Sequence, residues 1–255
     1  MTAPAVHVFE ERMLGYRRTY RGSVFASFIQ PALFLTAIGI GLGGYVNRGS
    51  GVDGVPYHVF LAPGLLAGAA MQAAAFESTF PILASIRWIK SYLAMLASPI
   101  GVRDVVTGQL AWIALRITMV ATIFVTITTL LGASHVPGIL VAIPAVVLMG
   151  MAFAAPIAAF SATRVNVEGF NALFRFVINP LFLFSGAFFP VSQLPALLQP
   201  VAFATPIYHG VELSRGIALG TMTLGGAVPH VLVLVAYVAL GTAACLVTFR
   251  RRLVT

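Results

Sequence analysis

Apolar residues run along this chain in long blocks, not in the alternation of half-buried strands or the short stripes of water-soluble helices. Six blocks stand out: about Val24 to Gly43, Tyr57 to Phe80, Val105 to Leu131, Gly138 to Phe160, Phe170 to Phe189 and Val228 to Phe249. Each reaches the roughly 20 residues that cover about 30 Å of hydrocarbon at 1.5 Å per residue, well beyond the roughly 10 alternating residues of a barrel strand. The pattern predicts an all-α integral membrane protein with six transmembrane helices in a single domain over residues 1–255. Pro31, Pro63, Pro144, Pro156 and Pro180 fall within the blocks and predict bends.

Three segments are apolar without being spans. In residues 1–22, Val8, Phe9, Met13, Leu14 and Tyr16 share a broad helical face and Arg12, Arg17, Arg18 and Arg21 take the rest, which predicts an amphipathic helix at the membrane interface. Between the second and third blocks, about 81–103, Pro81 can open a helix in which Ile82, Ile86, Ile89 and Leu93 recur at helical spacing, with Arg87 and Lys90 between them. Such a helix suits either docking into a groove on another protein or anchoring among lipid headgroups. Between the last two blocks, about 190–216, Pro190, Pro195, Pro200 and Pro206 punctuate an apolar run. Ser192 can cap a short helix there, with Pro195 in its first turn and Leu194, Leu197 and Leu198 on its apolar face. Apolar backbone that does not span must satisfy its polar groups in short helices or against protein. The expectation is a re-entrant helical hairpin dipping into the outer leaflet, with Tyr208 and His209 near headgroup level.

Composition agrees with a membrane chain. Hydrophobic residues make up 59% and charged residues 9%, against roughly 25% charged in soluble domains. The net charge of +8 suggests nucleic acid until its placement is considered. With both termini in the cytoplasm, eleven basic residues lie inside and two, Arg48 and Arg215, outside, which is the positive-inside arrangement. No nucleic-acid partner is expected, and membrane lipids are. Cys245 is the only cysteine, so no intrachain disulfide forms. No cleavable leader and no appended soluble domain are expected, and no internal repeat stands out.

Charges within spans are functional candidates. Arg116 lies in the third block, Arg175 in the fifth and Glu77 near the end of the second. Arg116 can face a cavity and bind an anionic headgroup, or pair internally, with Glu77 as a candidate. Glu168 and Arg175 are placed to share a face, and Glu212 and Arg215 to pair one turn apart. Seven phenylalanines between Phe170 and Phe189 line an apolar pathway or face lipid. Gly39/Gly43 and Gly64/Gly68 have the G-x-x-x-G spacing of close helix contacts, within or between chains. The five histidines have no ligand spacing, no metal site is expected, and no catalytic constellation is present. There is no G-x-x-x-x-G-K-[ST] phosphate loop: the single lysine, Lys90, follows "SIRWI". The run "GIGLGG" ends a membrane span and does not follow a strand, so it is no nucleotide fingerprint. Energy for transport must come from a partner or a gradient.

The run "FVINPLFLFSGAFFPVSQLPALLQPVAFATPIYHGVELSRG", Phe176 to Gly216, resembles the signature of ABC-2 type permeases, in particular the branch of nodulation lipo-oligosaccharide and daunorubicin-type exporters. Its elements are "FSGAFFP", "QLP", "TPIYH" and Arg215. The resemblance covers the whole chain and implies the membrane subunit of an ATP-driven exporter of amphipathic molecules (drugs, glycolipids or lipid-linked saccharides). It implies no enzyme activity in this chain, and two separate ABC ATPase subunits that hold ATP and magnesium. It further implies a second permease chain, identical or paralogous. Ile86, Arg87, Trp88, Lys90 and Ser91 would form the ATPase-coupling helix. Ser185, Gly186, Pro190, Leu194, Pro195, Pro206, Tyr208 and Arg215 would form the outer gate. Together with Ala-, Gly- and Arg-rich usage, it points to the inner membrane of a bacterium. The competing expectation is a gradient-driven transporter or channel without an ATPase, coupled through Glu77 or Arg116.

Overall fold

A computed structural model of the chain describes residues 4–17, 33, 35–43, 52, 54–132 and 136–254. The described part is helical, with one isolated bridge, Val52–Val55, as its only extended pairing. Four stretches are long and apolar enough to cross a membrane: Tyr57–Arg87, Val102–Leu130, Gly138–Ala162 and Leu224–Leu253. They correspond to the second, third, fourth and sixth expected spans. Most of the first expected span, and the tail of the N-terminal helix at 18–22, lie outside the described residues. From the first span the π-helical turn Leu35–Leu42 is described.

In chain order the helices are α1 (Pro4–Arg17), α2 (Tyr57–Glu77), α3 (Phe80–Arg87), α4 (Ser91–Leu96), α5 (Val102–Leu130) and α6 (Val136–Ala162). They continue with α7 (Glu168–Leu173), α8 (Asn179–Leu183), α9 (Gln199–Ala204), α10 (Pro206–Ala218) and α11 (Leu224–Leu253). Helix α6 is central and packs against α2, α5, α10 and α11. Helix α2 is buried along most of its length, lined by Ala62, Ala67, Ala70, Ala74 and Ala75, whose small side chains let neighbours come close. Helix α11 is largely exposed and shows an outward face of valines and leucines.

The fifth expected span, 170–189, is a helix of three parts. Helix α7 passes into a π-turn, Phe174–Ile178, and then into α8. Pro180 lacks the N–H that would bond the carbonyl four residues earlier and its ring crowds that turn, so the wider turn lies directly before it. The segment runs antiparallel along α2. Phe170 meets Phe80 at 5.3 Å between ring centres, Phe182 sits against Gly68, and the Phe188 carbonyl accepts from the Tyr57 hydroxyl at 3.2 Å. It therefore covers the length of α2 although its regular helix is short.

The Gly64/Gly68 pair makes its close contact within the chain. A Cβ on Gly64 would lie 2.7 Å from both Cα and the carbonyl oxygen of Ala187. Gly64→Leu is therefore expected to cost about 1–3 kcal/mol through overpacking. It should lower the melting temperature of the detergent-purified protein, whereas Gly225→Ala, where a Cβ meets open space, should leave it unchanged.

Candidate functional site

The two ends of the bundle carry different machinery. At one end α1, α3, α4 and α5 meet around Tyr92, which is fully buried. Arg12 donates from Nη2 to Ser85 Oγ at 2.6 Å and to the Tyr92 hydroxyl at 2.8 Å, and Tyr92 donates to Gln109 Oε1 at 3.0 Å. Phe249, near the end of α11, contacts the Tyr92 ring. The N-terminal helix, the 81–103 segment and the C-terminal turn of α11 thus lie at the same end. Helix α1 docks on α5 through buried Val8 and the edge-on contacts of Phe9 and Tyr16 with Trp112, while Met13 and Leu14 face outward.

The 81–103 segment is two helices where the apolar spacing predicts one. Helix α3 continues the line of α2 with a brief break at Ser78 and Thr79, and its Ile82, Leu83 and Ile86 are buried. The chain then turns sharply: Lys90 has φ 58°, the only positive φ at a described non-glycine residue, and α4 starts at Ser91. The turn takes Ile89 and Leu93 off the buried face. Trp88 and Ile89 are 64% and 69% exposed, flanked by exposed Arg87 and Lys90, while Ser91 is half-buried. Periodicity carried the helix through Lys90 because nothing local marks a lysine for left-handed backbone.

Above this end, Arg116 Nε donates to Glu77 Oε1 at 2.8 Å, and its guanidinium lies 4.3 Å from the centre of the Tyr16 ring. Both side chains are nearly buried. The internal-pair alternative is the one observed. Glu168 accepts from Asn166, not from Arg175.

The opposite end is built from residues 184–218. Ser185 Oγ donates to the Phe182 carbonyl and accepts from the Ala187 N–H, fixing a turn in which Gly186 has φ 85°. Buried Arg215 holds that turn to α2. Its Nη2 donates to the Gly186 carbonyl at 2.7 Å, and its guanidinium lies 3.8 Å from the centre of the Phe60 ring. Glu212 sits 3.4 Å away, one turn earlier. Ser192 belongs to a short 3-10 turn, Val191–Gln193, and caps no helix; α9 starts only at Gln199, with Pro200 in its first turn in place of Pro195. Pro195 and Leu197 are exposed, Leu194 and Pro206 are buried, and Pro190 is half-buried. Gln199 donates to the Leu194 carbonyl and the Tyr237 hydroxyl to the Ala204 carbonyl, so side chains satisfy backbone that no regular helix does.

Sequence reasoning passed over two constellations. The Arg12–Tyr92–Gln109 chain joins residues far apart in sequence; its one signal was Gln109, an amide in a span that needs a partner. His209 and His230 lie Nδ1 to Nδ1 at 2.8 Å beside the Tyr208 ring, between α10 and α11. Burial first, and His230 second, holds His209 below its ordinary value of 6.5. Among the described residues, no group of three or more His, Cys, Asp or Glu side chains is arranged to hold a metal.

A family model described as ABC-2 type transporter matches residues 7–219. Relatives named Nodulation protein J align over most of the chain. That of Rhizobium leguminosarum bv. viciae is 31% identical over 246 residues, covering 96% of this chain and 93% of its own. That of Rhizobium meliloti (strain 1021) is 32% identical over 216 residues, 85% of this chain and 81% of its own. That of Bradyrhizobium diazoefficiens is 30% identical over 246 residues, 96% of this chain and 92% of its own.

Removing one partner of a buried ion pair costs about 3–5 kcal/mol because the other charge stays buried. Glu77→Gln should therefore lower thermal stability sharply, and Glu77→Leu with Arg116→Met should cost less than the sum of the two single changes. Melting temperatures of the four proteins check this, and strict additivity would contradict the pairing. For His209 the folded value lies below the unfolded one, so its contribution is whole above the unfolded value of 6.5 and is lost as pH falls below it. The stability difference between wild type and His209→Gln should change as pH falls through and below 6.5, with the wild type losing more.

Proposed function

The chain belongs to the ABC-2 type transporter family, and from that premise we propose that it is the membrane-spanning permease subunit of an ATP-driven exporter of amphipathic molecules in a bacterial inner membrane. Hydrolysis then resides in two separate ATPase chains, which hold ATP and magnesium, and the cargo passes between this chain and a second permease chain. Six spans and two cytoplasmic termini complete the reading. The distribution of basic residues supports that orientation, as does the meeting of α1, the Lys90 turn and the end of α11 at one end of the bundle. The segment 184–218 is then the outer re-entrant hairpin that closes the far side, and α1 lies at the inner interface.

One observation carries the coupling role. Trp88 and Ile89 project from a left-handed turn with Arg87 and Lys90 beside them. Directly behind them α3 is buried and Tyr92 is locked by hydrogen bonds. Large exposed apolar side chains flanked by cations, on a rigid mount, fit a groove on a protein partner with acidic rims. In this reading Ile86, buried behind the turn, supports the contact and does not make it, and Ser91 starts the second arm.

The test is purification of the tagged chain from native membranes in mild detergent, beside the variant Arg87→Ala/Trp88→Ala/Lys90→Ala. An ATPase should accompany the wild type and be lost from the variant. Recovery of active wild type without a nucleotide-binding partner would overturn the reading. So would efflux that continues with ATP depleted and the ion gradient held, the behaviour of a gradient-driven transporter.

A further inference from the structure

Helix 168–183 carries a polar stripe on a side that otherwise exposes Phe176, Val177 and Leu183. Its inward face is apolar, with Phe170 and Ile178 buried and Phe170 packed between Phe80 and Phe160. Its outward face carries Asn171, Arg175 and Asn179, four residues apart and all exposed. Helix α11 is the internal contrast: its outward residues include Val228, Leu232, Val235 and Leu240, which is what hydrocarbon selects. Among the described residues Arg175 makes no hydrogen bond or ion pair, and its guanidinium lies over the ring of its own neighbour Phe176, 5.6 Å from the ring centre. A guanidinium exposed to hydrocarbon is costly. Arginine near a span end can extend to the interface, but Asn179 cannot. It stands about 16 Å along the helix from Glu168 at 1.5 Å per residue, and its side chain is short. Such a stripe needs polar surroundings within the membrane.

We propose that this stripe binds the anionic head of the exported amphiphile, with Arg175 as the charge-reading residue and Asn171 and Asn179 as hydrogen-bonding partners along the path. The proposal rests on the exporter reading and names its substrate class. Phe176, 71% exposed beside Arg175, offers an apolar surface to the tail. Direct packing of a second, identical copy on this face is disfavoured. A two-fold axis along the membrane normal sets each residue against itself at its own depth, and two Arg175 guanidiniums repel. An anion between them removes that repulsion and supplies acceptors to both.

The test uses the full complex in native membrane vesicles, with Cys245→Ala as background and Asn171→Cys, Asn179→Cys or the lipid-facing control Leu232→Cys added singly. The probe is a water-soluble anionic methanethiosulfonate reagent, and the cargo stand-in is dodecyl phosphate. Both stripe cysteines should react while the control does not, and dodecyl phosphate should slow the reaction where dodecyltrimethylammonium does not. Adding Arg175→Ala should weaken that protection about tenfold, the loss of one charge-assisted hydrogen bond, and Arg175→Lys should restore part of it. Among the described residues Arg175 makes no hydrogen bond or ion pair, and its ring contact is with its exposed neighbour Phe176, so these variants leave the described packing intact. Unreactive stripe cysteines, disulfides between copies without the amphiphile, equal protection by the cationic amphiphile, or protection that survives Arg175→Ala would each overturn the proposal. Labelling needs no ATP. Failure here with an ATPase still co-purifying removes the stripe alone, and success without an ATPase removes the exporter reading alone.

Discussion

A charge or a backbone amide in hydrocarbon has no water to bond, and this constraint organises the whole chain. Regular helix meets it for the long spans. Elsewhere specific side chains must, and three arginines do most of the work. Arg215 bonds the carbonyl of the Gly186 turn and covers the Phe60 ring, so an apolar, proline-broken segment stays folded against α2. Arg116 neutralises Glu77, and Arg12 ties α1 to α3 and α4. Each joins elements distant in sequence.

These clamps sit at the two ends of one nearly continuous helical stretch, Tyr57–Arg87. Trp88 and the Lys90 turn cap one end, and Phe60, under Arg215, lies at the other. In the proposed exporter, a displacement imposed on the turn by a closing ATPase pair reaches the outer hairpin through that stretch. Helix α6 packs on α2, α5, α10 and α11 and ties that stretch to the rest of the bundle. Gly64 meets Ala187 and Gly68 meets Phe182, so that stretch is in tight contact with helix 168–183 and the turn after it.

The long spans were legible because block length against bilayer thickness is a strong signal that tertiary context rarely overrides. The Arg116–Glu77 pair was legible as one of two alternatives, since an intramembrane charge demands a partner. The break at Lys90 was not legible, because left-handed lysine has no local signature. The helix start at Gln199 was missed because Ser192 and Pro195 offered an equally good local start, and the hydrogen bonds from Gln199 and Tyr237 decide between them only in three dimensions. The polar stripe of helix 168–183 was hidden by its phenylalanines: Asn171, Arg175 and Asn179 share the outward side with exposed Phe176.

The central claim is that the Lys90 turn is where an ATPase grips the permease. The most direct measurement is photo-crosslinking in native membranes from a benzoylphenylalanine placed singly at Trp88, Ile89, Ile82 or Ile86. The account predicts crosslinks to an ATPase chain from the exposed positions Trp88 and Ile89 and none from the buried positions Ile82 and Ile86. An ATPase that co-purifies yet crosslinks from neither Trp88 nor Ile89 would contradict it.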